Sequence, residues 1–350
     1  MSTETPGPPN APMTAPLALY RDPAIFEAER ALIFARTWQF MGLESDLGRT
    51  GDYIAQTIAG YPVVVVRDQG GMLKAYHNVC RHRAGPLVGE ARGRCPGALV
   101  CRYHGWRYGL DGGLQAAPNF DQAEIDLGAY SLFPVRVETW RGFVFVNLDQ
   151  AAAPLAETMR PLDACFGRRA HLTARIEDTH AVASNWKVFV ENYLEGFHSE
   201  GVHGGLDATV HAGVQDVRID GDVVMQDVES GEAHWDDDDG HEHHHAHGLW
   251  AWVWPNLGLT LNRGVLLVIH MKPVGAEATE LSHIYLHEPE EPGIDAAHLT
   301  TEKTTVEDAW ICERVQENID AGVFRQGPLS ASHESAVTWF QARVSRLLEE

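Results

Sequence analysis

Hydrophobic and polar positions divide the chain into a helical start, a β-rich middle and a mixed second half. Asp22-Pro23 begins a helix, because Asp is favoured at the N-cap and Pro at the first helical position. Apolar residues then recur at helical spacing, at Ile25, Ala28, Leu32 and Ile33. The pattern therefore predicts an amphipathic helix ahead of the β-rich stretch.

The β-rich stretch begins near residue 40 and consists of short apolar runs separated by turns. Its clearest strands and turns are, in chain order, Pro62–Val66, Asp68–Gly71, Asp111–Gly113 and Gly142–Asn147. Ala151–Pro154 has the composition of a linker and ends the stretch. Residues 1–17 contain five prolines and little hydrophobic pattern, which predicts a disordered tail.

Length and composition agree with a soluble multidomain protein. The 350 residues are enough for two domains, and the 44% apolar content excludes a chain that is disordered throughout. No apolar run approaches the roughly 18 residues of a membrane span, and the N-terminus lacks a secretory signal. Five scattered cysteines do not form a disulfide framework. We therefore expect a cytoplasmic protein that does not bind membranes.

The formal net charge of −22 argues against nucleic acid as a partner, because phosphate binding needs clustered Lys and Arg. The same charge would attract a cationic substrate or a basic redox partner over long distances. Plain solubility is the alternative explanation.

Two short Cys/His pairs carry the strongest chemical signal. Cys80 and His82 form the first pair, Cys101 and His104 the second, with 18 residues between them. A Rieske [2Fe–2S] centre needs two thiolates on one iron and two imidazoles on the other, and two such loops supply that set. A Cys₂His₂ zinc site is the alternative, although zinc fingers usually group Cys with Cys and His with His. Cys95 has no His three residues beyond it and is left out.

The residues around both pairs carry a family resemblance. Asn78–Gly85 (NVCRHRAG) and Cys101–Gly112 (CRYHGWRYGLDG) resemble the cluster-binding loops of Rieske non-haem iron oxygenase α subunits. The spacing between the loops is near the upper end of the family pattern. The resemblance implies that Cys80, His82, Cys101 and His104 hold the cluster.

Two histidines, His198 and His203, mark a second constellation. Five residues on a regular helix turn two side chains about 140° apart, so the helix must end or distort before both can face one metal. Gly201 lies in that gap. Taken alone the pair is more typical of ordinary loop residues, but the segment resembles the mononuclear-iron motif of the same family. The resemblance makes both histidines iron ligands.

Non-haem Fe(II) that activates O₂ is commonly held by two His and one carboxylate. A helix predicted over Thr301–Ala321 places Asp308 on its apolar face, and the apolar members of that face are Ile311, Cys312, Val315 and Ile319. A carboxylate there needs a partner, which iron or an arginine would supply. Asp308 also lies in a segment that resembles the family's carboxylate-ligand region. Glu307 and Glu313 are expected to face solvent.

Glu195 precedes His198 by three residues, where the family has an acid. The resemblance implies that this acid connects His198 of one subunit to His104 of a neighbouring subunit, in a homotrimer. Most family members have Asp at this position. In having Glu here, the chain resembles the branch of the family that acts on quaternary ammonium compounds such as choline, glycine betaine or carnitine.

Two further features leave alternatives open. Asp236–His247 is rich in Asp and His and is interpreted as a solvated loop rather than a metal site. Trp250, Trp252 and Trp254 alternate on a predicted strand and so face one side. They either pack a core or form an aromatic wall, which suits a trimethylammonium cage or an arene pocket.

The family resemblance implies an α+β protein: a Rieske all-β domain joined to a catalytic domain with an antiparallel β-sheet flanked by helices, helix-grip-like. The predicted segments are a disordered tail (1–17), an N-terminal helix packing on the catalytic domain (18–39), the Rieske domain (40–150) and the catalytic mononuclear iron domain (151–350).

The implied function is the terminal oxygenase of a multicomponent system that hydroxylates a small molecule with O₂. Its cofactors would be a [2Fe–2S] cluster and Fe²⁺. Electrons would come from a separate NAD(P)H-dependent reductase or ferredoxin, since this chain has no Gly-rich dinucleotide fingerprint. A quaternary ammonium substrate is favoured. The alternatives are an aromatic-ring dihydroxylating dioxygenase, a Rieske electron carrier without oxygenase activity, and a zinc-stabilised binding module.

Overall fold

The computed structural model describes most of the chain. The described residues are 11–121, 124–163, 166, 172–196, 198–203, 214–229, 235–236, 242–243, 247–262, 265–291 and 293–349. They form two compact units. One runs from Phe34 to Glu157, and the other combines the described residues up to Ile33 with those from Thr158 onward.

The helices are mostly short. They are α1 Ala18–Arg21, α2 Pro23–Glu29, α3 Leu155–Met159, α4 Trp186–Leu194, α5 Ser199–Val202, α6 Ile294–Asp320 and α7 Ser335–Glu349. Helix α2 begins as its sequence predicts, because the Asp22 side chain accepts a hydrogen bond from the Ala24 amide at 2.9 Å and Pro23 takes the first helical position.

The Phe34–Glu157 unit is built from ten strands. They are β1 Gln39–Leu43, β2 Asp52–Ile58, β3 Tyr61–Arg67, β4 Leu73–His77, β5 Arg92–Arg94, β6 Ala98–Val100, β7 Arg107–Gly109, β8 Leu114–Ala116, β9 Pro134–Trp140 and β10 Phe143–Asn147. Seven form an antiparallel sheet in the order β1-β10-β9-β4-β3-β2-β5, and β6-β7-β8 form a second sheet. The predicted strands at Pro62–Val66 and Gly142–Asn147 correspond to β3 and β10.

The two Cys/His loops lie where this unit's strands end. The first loop follows β4, and the second connects β6 to β7. Cys80 and Cys101 are themselves part of the hydrophobic core, together with Leu99, Trp106 and Tyr108. The strands therefore anchor both ends of the two loops, and the thiols of Cys80 and Cys101 are buried in the core.

The second unit contains one large sheet. Its strands are β11 Ala174–Val182, β12 Val214–Asp220, β13 Val223–Glu229, β16 His247–Val253, β17 Leu257–Asn262, β18 Val265–Gly275 and β19 Ala278–His287. All are antiparallel, in the order β11-β19-β18-β17-β16-β13-β12. Two-residue strands, β14 Trp235–Asp236 and β15 Glu242–His243, pair separately.

Helices pack on this sheet and on one another. Helix α4 contacts β18, α6 and α7, while α6 also contacts β11. In the N-terminal segment, α1 contacts α6 and α2 contacts α7. The fold is thus the expected α+β arrangement of a β domain and an antiparallel sheet flanked by helices. Within the part of the chain that the structure describes, no helix is long and apolar enough to cross a membrane.

Two expectations about segment ends need correction. Residues 1–10 lie outside the described residues, but the predicted disorder is wrong for residues 12–15: Met13 pairs with Pro328, and the Ala15 amide donates to Gln341 Oε1 at 2.8 Å. The predicted linker Ala151–Pro154 is held in the β unit, where Trp38 Nε1 donates to the Ala153 carbonyl at 3.0 Å. All three contacts join residues far apart in sequence, which local composition does not register.

Candidate functional site: two metal centres

The first Cys/His loop is closed by its own side chains. Asn78 Oδ1 accepts hydrogen bonds from the amides of Leu87 and Val88 at 2.8 and 3.1 Å, and Asn78 Nδ2 donates to the Val88 carbonyl at 2.9 Å. The Cys80 amide donates to the Gly85 carbonyl at 2.8 Å. These bonds hold Cys80 and His82 on a tight loop.

The second loop is a tight turn between two paired strands. The Cys101 amide donates to the Trp106 carbonyl, and the Gly105 amide donates to the Cys101 carbonyl, both at 2.9 Å. Gly105 has φ of 75°, a left-handed conformation that glycine adopts without strain. Gly85 of the first loop lies so close that a Cβ there would be 3.0 Å from Cys101 Sγ. The two loops therefore face one another with their thiols near the contact.

The imidazoles of the two loops are adjacent. The rings of His82 and His104 have centroids 4.5 Å apart, and His82 also stacks on Trp106 at 5.0 Å. His82 Nδ1 is buried and has no hydrogen-bond partner. A buried ring nitrogen without a partner is unfavourable unless something binds it, and a metal ion suits a neutral imidazole nitrogen. This atom fits a cluster ligand.

Cys80, His82, Cys101 and His104 do not form a group in which three ligand atoms lie within 4.8 Å of one another. A tetrahedral zinc site would bring its ligand atoms within about 4 Å of one another. Among the described residues, His198, His203 and Asp308 form such a group: their ligand atoms all lie within 4.8 Å of one another. Two thiols and two imidazoles are the ligand set of a Rieske [2Fe–2S] cluster, in which one iron takes both thiolates and the other both imidazoles.

Polar groups surround the thiols. The Tyr108 hydroxyl lies 3.3 Å from Cys80 Sγ and accepts a hydrogen bond from the Arg81 amide at 3.0 Å, so its own proton can be donated to the sulfur. Burial raises the pKa of the Cys101 thiol and neighbouring Cys80 raises it further, while backbone amides of Tyr103 and His104 lower it. Such donors stabilise thiolate sulfur. Tyr108 lies within the Cys101–Gly112 motif, but residue spacing gave no sign of its contact with Cys80.

His198 and His203 bracket the short helix α5. Helix α4 is capped by Asn185, whose side chain accepts from the Lys187 amide at 3.0 Å, and it ends at Glu195, which is extended with φ −120° and ψ 146°. The break at Glu195 precedes both histidines, and the helix ends a second time at His203, with φ −98° and ψ 67°; Gly201, which was expected at the break, lies inside α5. This geometry turns both rings toward α6.

Asp308 meets both histidines. Its Oδ1 lies 3.4 Å from His198 Nε2 and 3.2 Å from His203 Nε2. Two ligands at about 2.1 Å from one ion and at right angles would be about 3 Å apart, so the spacing suits a facial two-His, one-carboxylate set. Asp308 Oδ1 is buried without a well-oriented hydrogen bond. The three residues can therefore hold a divalent ion.

Helix α6 brings Asp308 to this position. It starts at Ile294, seven residues before the predicted start, and its buried residues are Thr305, Cys312, Gln316 and Ile319. Val315, expected on the apolar face, is exposed. Gln316 Oε1 accepts from the Asn185 amide at 3.0 Å, which ties α6 to the start of α4. The register of α6 against α4 is what aligns Asp308 with the histidines.

Two further carboxylates contact the ligand histidines. Glu195 Oε1 lies 2.7 Å from His198 Nδ1, and its Oε2 accepts from the His198 amide at 3.2 Å. Glu307 Oε2 lies 2.8 Å from His203 Nδ1. The expectation that Glu307 faces solvent was wrong, and so was that for Glu313, whose Oε1 accepts from the Ala183 amide at 3.0 Å. The sequence contained one sign that Glu307 belongs to the site, namely that it directly precedes Asp308.

The carboxylates also shift the proton affinity of the site. Burial lowers the pKa of His198, but Asp308 and Glu195 outweigh it and raise the value to about 9. A metal ion needs the neutral imidazole, so it displaces this proton when it binds. Three carboxylates around two histidines give the site a negative charge that favours a divalent cation.

Two of the three alternating tryptophans pack in the core, and the third is partly exposed. Trp252 and Trp254 are buried and pack edge-on against Trp339 of α7, with ring centroids 6.2 and 6.4 Å away. Trp250 is partly exposed and lies opposite Gln226, whose Nε2 donates to the Leu194 carbonyl at 2.9 Å. Trp250 is therefore the member beside the end of α4. Most of the Asp236–His247 segment lies outside the described residues.

Comparison with known proteins extends over both units. The family model for the ring hydroxylating alpha subunit (catalytic domain) matches residues 169–350, and that for the Rieske [2Fe-2S] domain matches residues 37–139. The carnitine monooxygenase oxygenase subunit of Escherichia coli (strain K12) is 35% identical over 211 residues, covering 58% of this chain and 55% of that protein. The chain thus spans about half the length of such relatives. Choline monooxygenase, chloroplastic, of Spinacia oleracea is 26% identical over 98% of this chain and 80% of its own length.

Solved structures are similar along nearly the whole chain. The quaternary ammonium Rieske monooxygenase CntA in complex with substrate L-carnitine superposes with a TM-score of 0.80, at 27% identity and with 97% and 96% of the two chains covered. Naphthalene 1,2-dioxygenase from Rhodococcus sp. bound to indole has a TM-score of 0.74 over 96% and 95%, at 18% identity. The second likeness concerns the fold alone.

Proposed function

Because the chain belongs to the family of ring-hydroxylating oxygenase alpha subunits with a Rieske [2Fe–2S] domain, we propose that it is the terminal oxygenase of a multicomponent Rieske monooxygenase. The observation that carries the proposal is the presence of two separate metal-binding sets in one chain. An electron carrier needs the first set and has no use for His198, His203 and Asp308. A zinc-stabilised module would use the two Cys/His pairs and likewise has no use for the second set.

Four residues would hold the [2Fe–2S] cluster: Cys80, His82, Cys101 and His104. An iron-bound imidazole offers the lone pair of one ring nitrogen, and the buried Nδ1 of His82 has no hydrogen-bond partner in the protein that would occupy it. Stacking on Trp106 fixes the direction in which this ring points. Tyr108 holds its hydroxyl against the sulfur of Cys80, which stabilises negative charge there.

Three residues would hold Fe²⁺: His198, His203 and Asp308. When bound, the ferrous ion provides the centre for O₂ activation, and the cluster provides single electrons. Glu195 fixes His198 with Nδ1 toward itself and Nε2 toward Asp308. By family resemblance the same acid reaches His104 of a neighbouring subunit, which makes the assembly a homotrimer. A separate NAD(P)H-dependent reductase or ferredoxin would supply electrons.

The favoured substrate is a quaternary ammonium compound. The similarity to a carnitine monooxygenase subunit and to CntA supports this choice, as does Glu at position 195. Trp250 offers a partly exposed aromatic ring beside the end of α4, where it can face a trimethylammonium group. The net charge of −22 favours the approach of a cation.

Metal and product analysis test the proposal. Purified protein should contain two acid-labile sulfides and about one iron beyond the two of the cluster. Cys80→Ala or Cys101→Ala should remove the cluster's colour, whereas His198→Ala, His203→Ala or Asp308→Ala should abolish turnover and leave cluster absorption and reduction intact. O₂ consumption with a generic reductase over quaternary ammonium compounds and arenes identifies the substrate class. One zinc per chain and no labile sulfide would refute the proposal.

A further inference from the structure

The imidazole of His203 lies between two consecutive carboxylates of α6. Asp308 Oδ1 is 3.2 Å from Nε2 on one side of the ring, and Glu307 Oε2 is 2.8 Å from Nδ1 on the other. The His203 side chain is 1% exposed, compared with 26% for Glu307 and 14% for Asp308. Both ring nitrogens therefore face carboxylates of α6.

Which ring nitrogen carries the proton decides whether this ring can bind metal. A neutral imidazole has one N–H and one lone pair, and a metal ion needs the lone pair. With the proton on Nδ1, where Glu307 accepts it, Nε2 presents its lone pair toward Asp308 and His198. With the proton on Nε2 the ring would present an N–H to the ion. A buried N–H without an acceptor is unfavourable. The presence of Glu307 beside Nδ1 therefore favours the tautomer of His203 that carries its proton on Nδ1.

The two histidines are held in different ways. Glu195 lies three residues before His198 and also accepts from the His198 backbone amide, so it organises its own segment. Glu307 is 104 residues from His203 and approaches from another helix. Lys303, one turn earlier on α6, lies 3.6 Å from Glu307 Oε1 and partly balances its charge. Glu307 thus couples the position of α6, and with it Asp308, to the orientation of His203.

We propose that Glu307 is a positioning residue of the iron site: it fixes the Nδ1–H tautomer of His203 and so sets the metal affinity of the three ligands. The inference rests on the iron site proposed above. Outer-sphere acceptors of metal-bound imidazoles raise the basicity of the ligand, and their loss typically lowers metal affinity about 10- to 100-fold.

The test measures metal affinity in the full-length protein with its cluster retained. The mononuclear ion is removed with a chelator, and Co²⁺ is titrated back while its electron paramagnetic resonance signal is followed, because the oxidised cluster is diamagnetic. Glu307→Leu keeps the bulk and removes the acceptor, and should weaken Co²⁺ binding about 10- to 100-fold. Glu307→Gln keeps an acceptor oxygen without the charge, and should bind more tightly than the Leu variant.

Controls separate this role from general damage to the helix. Glu317→Leu removes an exposed glutamate of the same helix that pairs with Arg314 at 2.8 Å, and should bind Co²⁺ as wild type does. His203→Ala should lose the site. If wild type itself takes up no ion and His203→Ala changes nothing, the proposed iron site fails, and the inference falls with it.

The outcome that overturns the inference alone is a Glu307→Leu variant with wild-type affinity in a protein where His203→Ala abolishes binding. Should the Leu variant not fold, the Gln variant decides. A measurable loss of affinity with an altered Co²⁺ signal supports the positioning role, since an amide is a weaker acceptor than a carboxylate. Wild-type affinity together with a wild-type signal contradicts it.

Discussion

Glu191 allows a prediction of how stability depends on pH. It lies on α4, four residues before Glu195, where its Oε1 accepts a hydrogen bond from the Tyr20 hydroxyl at 2.7 Å. Burial raises the pKa of this carboxyl from 4.5 to about 7, although Tyr20, Gln341 and Lys187 lower it. Protonation is therefore easier in the folded protein than in the unfolded chain.

The sign and size of the effect follow from this difference. A carboxyl whose pKa is raised by folding favours the folded state fully below its unfolded pKa, and that contribution disappears as pH rises through the folded pKa. Each pKa unit corresponds to about 1.4 kcal/mol, so the rise from 4.5 to about 7 corresponds to about 3 kcal/mol at most. The loss should fall between roughly pH 4.5 and pH 7.

Urea unfolding of wild type and Glu191→Gln at a series of pH values measures the effect. Other groups titrate in the same window, but they are common to both proteins, so the difference between the two curves isolates Glu191. The stability of wild type relative to the Gln variant should decrease by up to about 3 kcal/mol from pH 4.5 to pH 8. Tyr20→Phe, which removes a donor to the carboxylate, should move the decrease to higher pH.

A difference between wild type and Glu191→Gln that stays constant from pH 4.5 to pH 8 would refute the reasoning. It would mean that Glu191 is ionised equally easily in the folded and unfolded states.

Two further predictions concern other carboxylates. Glu29 and Lys187 form a fully buried ion pair, and Trp186 Nε1 also donates a hydrogen bond to Glu29 at 2.9 Å. In urea unfolding, Glu29→Leu should lower the free energy of unfolding by about 3–5 kcal/mol, because it leaves the Lys187 charge buried without its partner. The double variant Glu29→Leu, Lys187→Met should recover most of the lost free energy. Equal stability of wild type and the single variant would contradict this. Glu195→Gln should leave both metal sites filled but slow reoxidation of the reduced cluster by orders of magnitude in single-turnover measurements with O₂ and substrate. A monomer that turns over normally would eliminate the inter-subunit route.

Much of the chemistry could be inferred from the sequence because it is local. Each Cys/His pair lies on one short loop, and His198 and His203 lie on one segment, so residue types and spacing suffice to suggest their use. Asp308 was accessible for a different reason: helical periodicity places it on the side of α6 that packs inward, where a lone carboxylate needs a partner. The capped start of α2 and the strands β3 and β10 likewise follow from neighbouring residues.

The rest depended on contacts between distant residues. Glu307 and Asp308 are adjacent and chemically alike, and only the placement of α6 against His203 makes one a candidate ligand and the other a hydrogen-bond acceptor. Alternation put three tryptophans on one face, but the position of α7 decided that Trp252 and Trp254 are buried against Trp339, whereas Trp250 is partly exposed. Residue spacing along the chain reports which side chains share a face. The partner that each face meets is decided by tertiary packing, because it is the sum of many long-range contacts rather than a property of any one segment.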